Sequence, residues 1–180
     1  TCHASFDAGA RCVTHLFNAM SQLGSRAPGL VGATLERGEV FAGLIADGVH
    51  VHPAAMRIAL AAKPRSDRVF LVTDAMATAG SQIDAFTLGG REIYRKHGRL
   101  TLADGTLAGA DLAMAQAVAR MARDVGDTPA QALARAITTP ASLLREGGGA
   151  GQFGAAPAIY IKDIGLPDPE LRLLFPTEAD

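Results

Sequence analysis

The sequence predicts an α/β fold built on a parallel sheet, and three observations carry that prediction. Two apolar runs, residues 40–46 and 69–73, are long and unbroken enough for strands buried on both faces. Between them lies a compact amphipathic helix, residues 54–62, with Pro53 in its first turn and Pro64 just past its end. Each run gives way to polar residues, the first to Asp47-Gly48-Val49-His50 and the second to Asp74, and a shorter strand at 11–14 gives way to His15 in the same manner. Parallel βα architectures gather the carboxyl ends of their strands on one rim. His15, His50 and Asp74 are therefore offered to a common site.

Taken in order, residues 1–10 read as the last turns of a helix closed by Gly9, entered midway through a βα unit, so that a preceding segment is expected. Residues 21–29 are rich in turn formers and carry one cation, Arg26. A short helix is expected at 30–37, ending at Gly38. From Ala75 to Gly109, glycines punctuate short segments such as Phe86-Thr87-Leu88 and Glu92-Ile93-Tyr94, which predicts small hairpins leaving the main sheet. Asp111 is expected to cap a long helix from Leu112 to Val125, stopped by Gly126. Thr128-Pro129 and Thr139-Pro140 open two more. Met114, Val118 and Met121 recur at helical spacing and are expected in the core. Residues 147–151 read as a flexible joint, and the strand-like stretches beyond it, 158–161 and 171–175, are too few to form a core of their own.

A chain of 180 residues that is 48% hydrophobic can bury a sizeable core. Its net charge of −1, without a dense Lys/Arg cluster, argues against nucleic acid or an anionic membrane as partner. Cys2 and Cys12 have no zinc-ribbon or disulfide-scaffold spacing, and they are expected to be reduced, buried thiols. No apolar run reaches the ~18 residues of a membrane span and no signal-peptide pattern is present, so the expected location is cytoplasmic.

The strand-end residues suggest a chemistry. A neutral imidazole such as His15 is a common ligand for a catalytic divalent ion, and a nearby carboxylate such as Asp74 can take a proton from the water that the ion activates. Asp74 follows four apolar residues and is expected to be partly desolvated, which disfavours its charged form. His50 could donate to a substrate oxygen or phosphate. A hydrogen-bonded structural histidine and a turn aspartate are the alternatives at each position. His3, His52 and His97 receive no role. One imidazole and one carboxylate do not complete a catalytic metal shell, which takes about three protein ligands.

The motifs Thr14-His15-Leu16-Phe17-Asn18-Ala19-Met20, Arg26-Ala27-Pro28-Gly29-Leu30, Ile45-Ala46-Asp47-Gly48-Val49-His50, Leu71-Val72-Thr73-Asp74-Ala75-Met76 and Gly105-Thr106-Leu107-Ala108-Gly109 resemble, in order, those of the N-acetylglucosamine-6-phosphate deacetylases of the amidohydrolase superfamily. The resemblance implies the C-terminal portion of a (β/α)8 TIM barrel, its last three strands and helices, over residues 1–146, with a linker and a remnant of a small β-sandwich domain over 147–180. It implies hydrolysis of the N-acetyl group of N-acetylglucosamine 6-phosphate to glucosamine 6-phosphate and acetate. It further implies His15 as ligand of a divalent metal ion, zinc foremost with iron the alternative, and Asp74 as general base and acid. Asn18, Ala19, Arg26, His50, Leu107, Ala108 and Gly109 would bind the sugar phosphate, and the complete enzyme would be a homodimer. The family's metal-binding Glu and second metal-binding His fall before Thr1, and His3 does not replace the latter, so an incomplete copy is expected. Two alternatives stay open: a non-catalytic truncated fragment, and another amidohydrolase acting on a cyclic amide.

Overall fold

The computed structural model describes residues 2–146, 158–162 and 170–174. Helix α1 (Cys2–Asp7) leads to strand β1 (Cys12–Val13), α2 (Gly29–Glu36), β2 (Phe41–Ile45), α3 (Pro53–Ala62) and β3 (Val69–Val72). The three strands form one parallel sheet in the order β1-β2-β3, with Val13 beside Ala42, Ala42 beside Val69 and Ile45 beside Val72. All five residues of β2 are buried, as the unbroken apolar run requires of a central parallel strand. Gly43 lets the sheet close tightly, because a Cβ there would lie 3.2 Å from Val72 Cγ1.

Beyond β3 the chain leaves the parallel sheet. Strands β4 (Ala85–Leu88), β5 (Arg91–Lys96) and β6 (Arg99–Thr101) make a separate antiparallel sheet of two hairpins, as the glycine punctuation predicts. The turn between β5 and β6 places His97 and Gly98 at φ 52° and 69°. The chain returns through α4 (Met114–Arg120), which runs on into a π-helical turn, Met121–Val125, ended by Gly126 at φ 96°. The long helix expected from Leu112 is thus shorter at its start, and Asp111 is not its cap. The carboxylate of Asp111 pairs instead with Arg95 of β5 at 2.8 Å, while Gln116 Oε1 accepts from Ala113 N at the helix entry. Helices α5 (Pro129–Ala136) and α6 (Thr138–Glu146) follow, the first opened by Thr128, whose hydroxyl accepts from Gln131 N at 3.3 Å. Strands β7 (Ala158–Lys162) and β8 (Glu170–Leu174) pair antiparallel with each other. The joint expected at 147–151 lies outside the described residues.

The main core joins both faces of this architecture: Leu44, Leu71 and Met56 pack with Val118 and Met121, all of them at most 2% exposed. Each such side chain contributes about 1.5–3 kcal/mol of burial energy. Met114 packs partly buried against the same cluster, so all three residues of the predicted helical stripe face the core. The cysteines depart from expectation, since Cys2 is half-buried and Cys12, on the outer strand of the sheet, is exposed. Alternation puts Val13 inward and therefore its neighbour outward.

Two buried cations lock the helices down. Lys63, 3% exposed, donates from Nζ to Thr34 O at 2.8 Å and Arg37 O at 2.7 Å, closing the open carbonyls at the end of α2. Burial pulls its ammonium down to about 8 from the ordinary 10.5. Between those two values the unfolded chain holds a proton that the folded chain has released, so raising the pH favours the folded state. Urea unfolding at pH 7.5 and 9.5 is expected to show about 1 kcal/mol more of this gain in the unaltered chain than in Lys63→Met, the value being discounted for solvent screening and for the two carbonyls that hold the charge. Equal pH dependence in the two proteins would contradict it. The second cation, Arg135, is 6% exposed and spans α5 and β3, donating to Asp127 and to Ser66 O and Val69 O.

Candidate active site at the carboxyl rim of the sheet

The parallel register puts three side chains at equivalent places. His15, Asp47 and Asp74 each stand two residues past the last residue of their strand, Val13, Ile45 and Val72. All three strands run the same way, so these residues share one rim. The backbone there is unusual. Among the described residues five non-glycine residues adopt positive φ, and four of them are His15 at 30°, Phe17 at 77°, Ala19 at 49° and Asp74 at 51°. Such conformations cost on the order of 1–3 kcal/mol each and persist where the surroundings over-determine them, which is typical of sites that position functional groups. From 15 to 19 the sign of φ alternates.

Hydrogen bonds hold this turn in place. Leu16 N donates to Gly43 O at 2.7 Å and Asn18 N to His15 O at 2.8 Å, while Gln22 Nε2 closes the turn onto Phe17 O and Met20 O. Asn18 is half-buried, its side-chain nitrogen donating to Leu16 O at 3.2 Å. Ala19 is exposed and can reach a ligand only through its backbone. Arg26 is also exposed, at the tip of a turn closed by Gly24 N donating to Ala27 O. Gly29, at φ 63°, anchors that loop to α2, and a Cβ there would stand 2.4 Å from Gln22 O.

His15 is half-buried, and its Nδ1 is sealed from solvent without a hydrogen-bond partner, an orphaned buried nitrogen whose chemistry fits a metal ligand. It lines a groove of about 610 Å³ with Phe6, Cys12, Val13 and Met20, and Asp74 is not in the wall of that groove. What His15 and Asp74 share is the rim. Among the described residues no three His, Cys, Asp or Glu side chains are grouped to hold an ion, so these residues supply His15 as a single fitting ligand and not a coordination shell.

Asp74 is exposed, which corrects the expectation of a desolvated carboxyl. The left-handed turn swings it out of the apolar strand that precedes it. Its backbone is fixed, because Ala110 N donates to Asp74 O at 2.8 Å and Ala75 bridges Ala110 in parallel register. Gly109, at φ 80°, makes this approach feasible, since a Cβ there would lie 2.4 Å from Met76 Cγ. The segment carrying Leu107, Ala108 and Gly109 is thereby seated beside Asp74, with Leu107 exposed and the other two half-buried.

His50 has a partner that the sequence reading passed over. Its Nδ1 lies 2.6 Å from Asp47 Oδ2, and both side chains are only 8% exposed. Asp47 Oδ1 accepts from Val49 N and His50 N, each at 2.8 Å, and this Asx turn folds His50 back to the rim. The hydrogen bond from Asp47 raises the His50 imidazole above its ordinary range against the opposing effect of burial, with Asp47 and Asp74 adding attraction through space. Burial alone would raise Asp47, but the His50 ring and the two backbone N–H groups outweigh it and hold the carboxyl below its usual value. The equal two-residue offset from the strand ends was the available signal for Asp47. His52, given no role above, caps α3 by accepting from Ala54 N at 3.1 Å, His97 sits in its hairpin turn, and His3 lies 3.6 Å from Glu36.

Comparison with known proteins brings in relatives of one kind. No protein-family model matches the chain. An N-acetylgalactosamine-6-phosphate deacetylase of Escherichia coli O157:H7 is 40% identical over 91% of this chain and 43% of its own length. A protein of Escherichia coli strain K12 that carries the same name provisionally is 39% identical over 84% of this chain and 91% of its own. The crystal structure of N-acetylglucosamine-6-phosphate deacetylase from Pasteurella multocida superposes with a TM-score of 0.81 at 32% identity, over 91% of this chain and 43% of that one. An aspartate-to-alanine mutant of the Mycobacterium smegmatis enzyme, in complex with N-acetyl-D-glucosamine-6-phosphate, superposes with a TM-score of 0.74 at 34% identity, over 80% of this chain and 39% of that one. The chain thus spans about two fifths of the length of the O157:H7 relative and nearly all of the K12 one.

Proposed function

The chain belongs to the N-acetylglucosamine/N-acetylgalactosamine-6-phosphate deacetylase family, and from that premise we propose that it serves in hydrolysis of the N-acetyl group of an amino-sugar 6-phosphate, releasing acetate. On this reading residues 1–146 are the last three strands and helices of a (β/α)8 barrel, and residues 147–180 are a linker and the remnant of a small β-sandwich domain. The observation that carries the proposal is the rim itself, where His15 and Asp74 end parallel strands on strained backbone.

A divalent ion held at such a rim would supply Lewis acidity toward the amide carbonyl and toward water. This chain's own residues do the rest. His15 would hold the ion through a ring nitrogen. Asp74 accepts the proton of the attacking water and returns it to the departing amine. The turn offers the Asn18 side-chain amide and the backbone of Ala19 to the sugar phosphate, and Arg26 and His50 add positive charge for the phosphate, from the same subunit or across a homodimer interface. Leu107, Ala108 and Gly109, held against Asp74, cover the sugar. The assigned substrate is N-acetylglucosamine 6-phosphate, and the names of the two Escherichia coli relatives favour its galacto epimer as a second reading.

Acetate release is measured from both N-acetylated sugar 6-phosphates and from the unphosphorylated sugars, with zinc supplied. Release from the phosphorylated sugars alone, together with loss of bound zinc in His15→Ala, is the expected result. Equal rates with and without the phosphate, or undiminished zinc in His15→Ala, would reject the reading. No helix among the described residues is long and apolar enough to cross a membrane.

A further inference from the structure

We propose that Asp47 is a positioning residue for His50: its carboxylate keeps a proton on Nδ1 and fixes the ring so that Nε2 is the nitrogen left for an anionic oxygen of the ligand. The proposal rests on the assignment of His50 to the phosphate group. Three features of the geometry support it. The Asp47 carboxylate is itself immobilised, because Oδ1 is saturated by Val49 N and His50 N while Oδ2 meets Nδ1 at 2.6 Å. Gly48, at φ 72°, makes the turn that brings His50 back over Asp47, with the guanidinium of Arg120 beside it. His50 Nε2, finally, has no hydrogen-bond partner among the described residues and is not sealed from solvent.

The chemistry follows from where the proton sits. A charged His50 ring donates from both nitrogens, one to Asp47 and one to the ligand. When the ring loses a proton, the carboxylate retains the hydrogen on Nδ1, and Nε2 becomes a lone pair facing the ligand oxygen. Asp47 therefore couples the anion affinity of His50 to a single ionisation, which it also displaces upward. Affinity for a phosphate ester is present below the raised His50 value and lost as the pH climbs through it. The charged groups that act on the ring are Asp47 on its own loop and Asp74 at the end of β3, while Arg120 of α4 lies against Gly48 of the same loop. Asp47→Asn reverses the pattern, because the amide nitrogen can donate to Nδ1 and drives the proton to Nε2 on a neutral ring.

The ring nitrogens of His50 are followed by 15N NMR across pH in the unaltered protein and in Asp47→Asn, together with the affinity for N-acetylglucosamine 6-phosphate. In the unaltered protein the neutral ring is expected with its proton on Nδ1. In Asp47→Asn it is expected on Nε2, with the midpoint about one pH unit lower, so that affinity at a pH above both midpoints is reduced by up to about tenfold. A neutral ring protonated on Nε2 in the unaltered protein overturns the proposal whether or not the variant folds, as does an unchanged tautomer in Asp47→Asn. A shifted tautomer with unchanged sugar-phosphate affinity upholds the action of Asp47 on the ring and removes His50 from the phosphate site, so that the two readings fail separately.

Discussion

Replacing Asp74 with Asn is expected to lower the rate of acetate release about 10²- to 10⁴-fold, the usual contribution of a positioned proton-transfer group. Bound metal should remain at the level of the unaltered chain. The expectation rests on place rather than burial. Asp74 ends the third parallel strand, its carbonyl is held by Ala110 N at 2.8 Å, and the segment 107–109 is packed beside it. Asn keeps the shape and the hydrogen-bonding reach of the side chain but cannot accept the proton. A rate in Asp74→Asn near that of the unaltered protein, measured with metal content in the same preparation, would remove Asp74 from the proton-transfer role.

Replacing Arg135 with Ala is expected to destabilise the folded chain by about 3–5 kcal/mol, a large share of the ~5–15 kcal/mol by which domains of this size are stable. Arg135 meets Asp127 with both Nε and a terminal nitrogen, at 2.6 and 3.2 Å, and the two side chains are 8% exposed. The same guanidinium satisfies the carbonyls of Ser66 and Val69 where the chain enters β3. Truncation strands the Asp127 carboxylate and leaves these backbone acceptors unpaired. Arg135→Lys should recover only part of the loss, because an ammonium cannot reproduce the planar fork. The double change Arg135→Met with Asp127→Leu should unfold at a higher urea concentration than Arg135→Ala. The same midpoint for Arg135→Ala and the unaltered protein would show the pair to be dispensable.

Local signals made the parallel sheet legible. The apolar run around Phe41–Ile45 and the Pro-bounded helix Pro53–Ala62 each required one structural solution, and both formed within a residue or two of expectation. The hairpins between Ala85 and Thr101 were equally readable from their glycines. Long-range pairing was not. Asp111 carries the local signature of a helix cap, yet Arg95, sixteen positions earlier, claims its carboxylate. Arg135 lies on a helix whose composition looks solvent-facing, and only its contact with Val69, sixty-six positions away, reveals it as an interior residue. At the rim, His15 and Asp74 were visible as strand ends, whereas Asp47 looked like a turn former because its work is done on a neighbour three residues on. Burial at Asp74 was misjudged because an apolar strand says nothing about the dihedral at which the chain leaves it.

That dihedral restricts what can occupy position 74. With φ at 51°, the Cβ of most residues crowds the backbone there, a β-branched one most of all, and glycine, asparagine and aspartate adopt it at the least cost. Two of these three lack a proton-accepting carboxylate and the third has one. The backbone thus narrows the choice to a handful of residues before any reaction is considered, and Asn is the substitution that tests chemistry without also testing geometry.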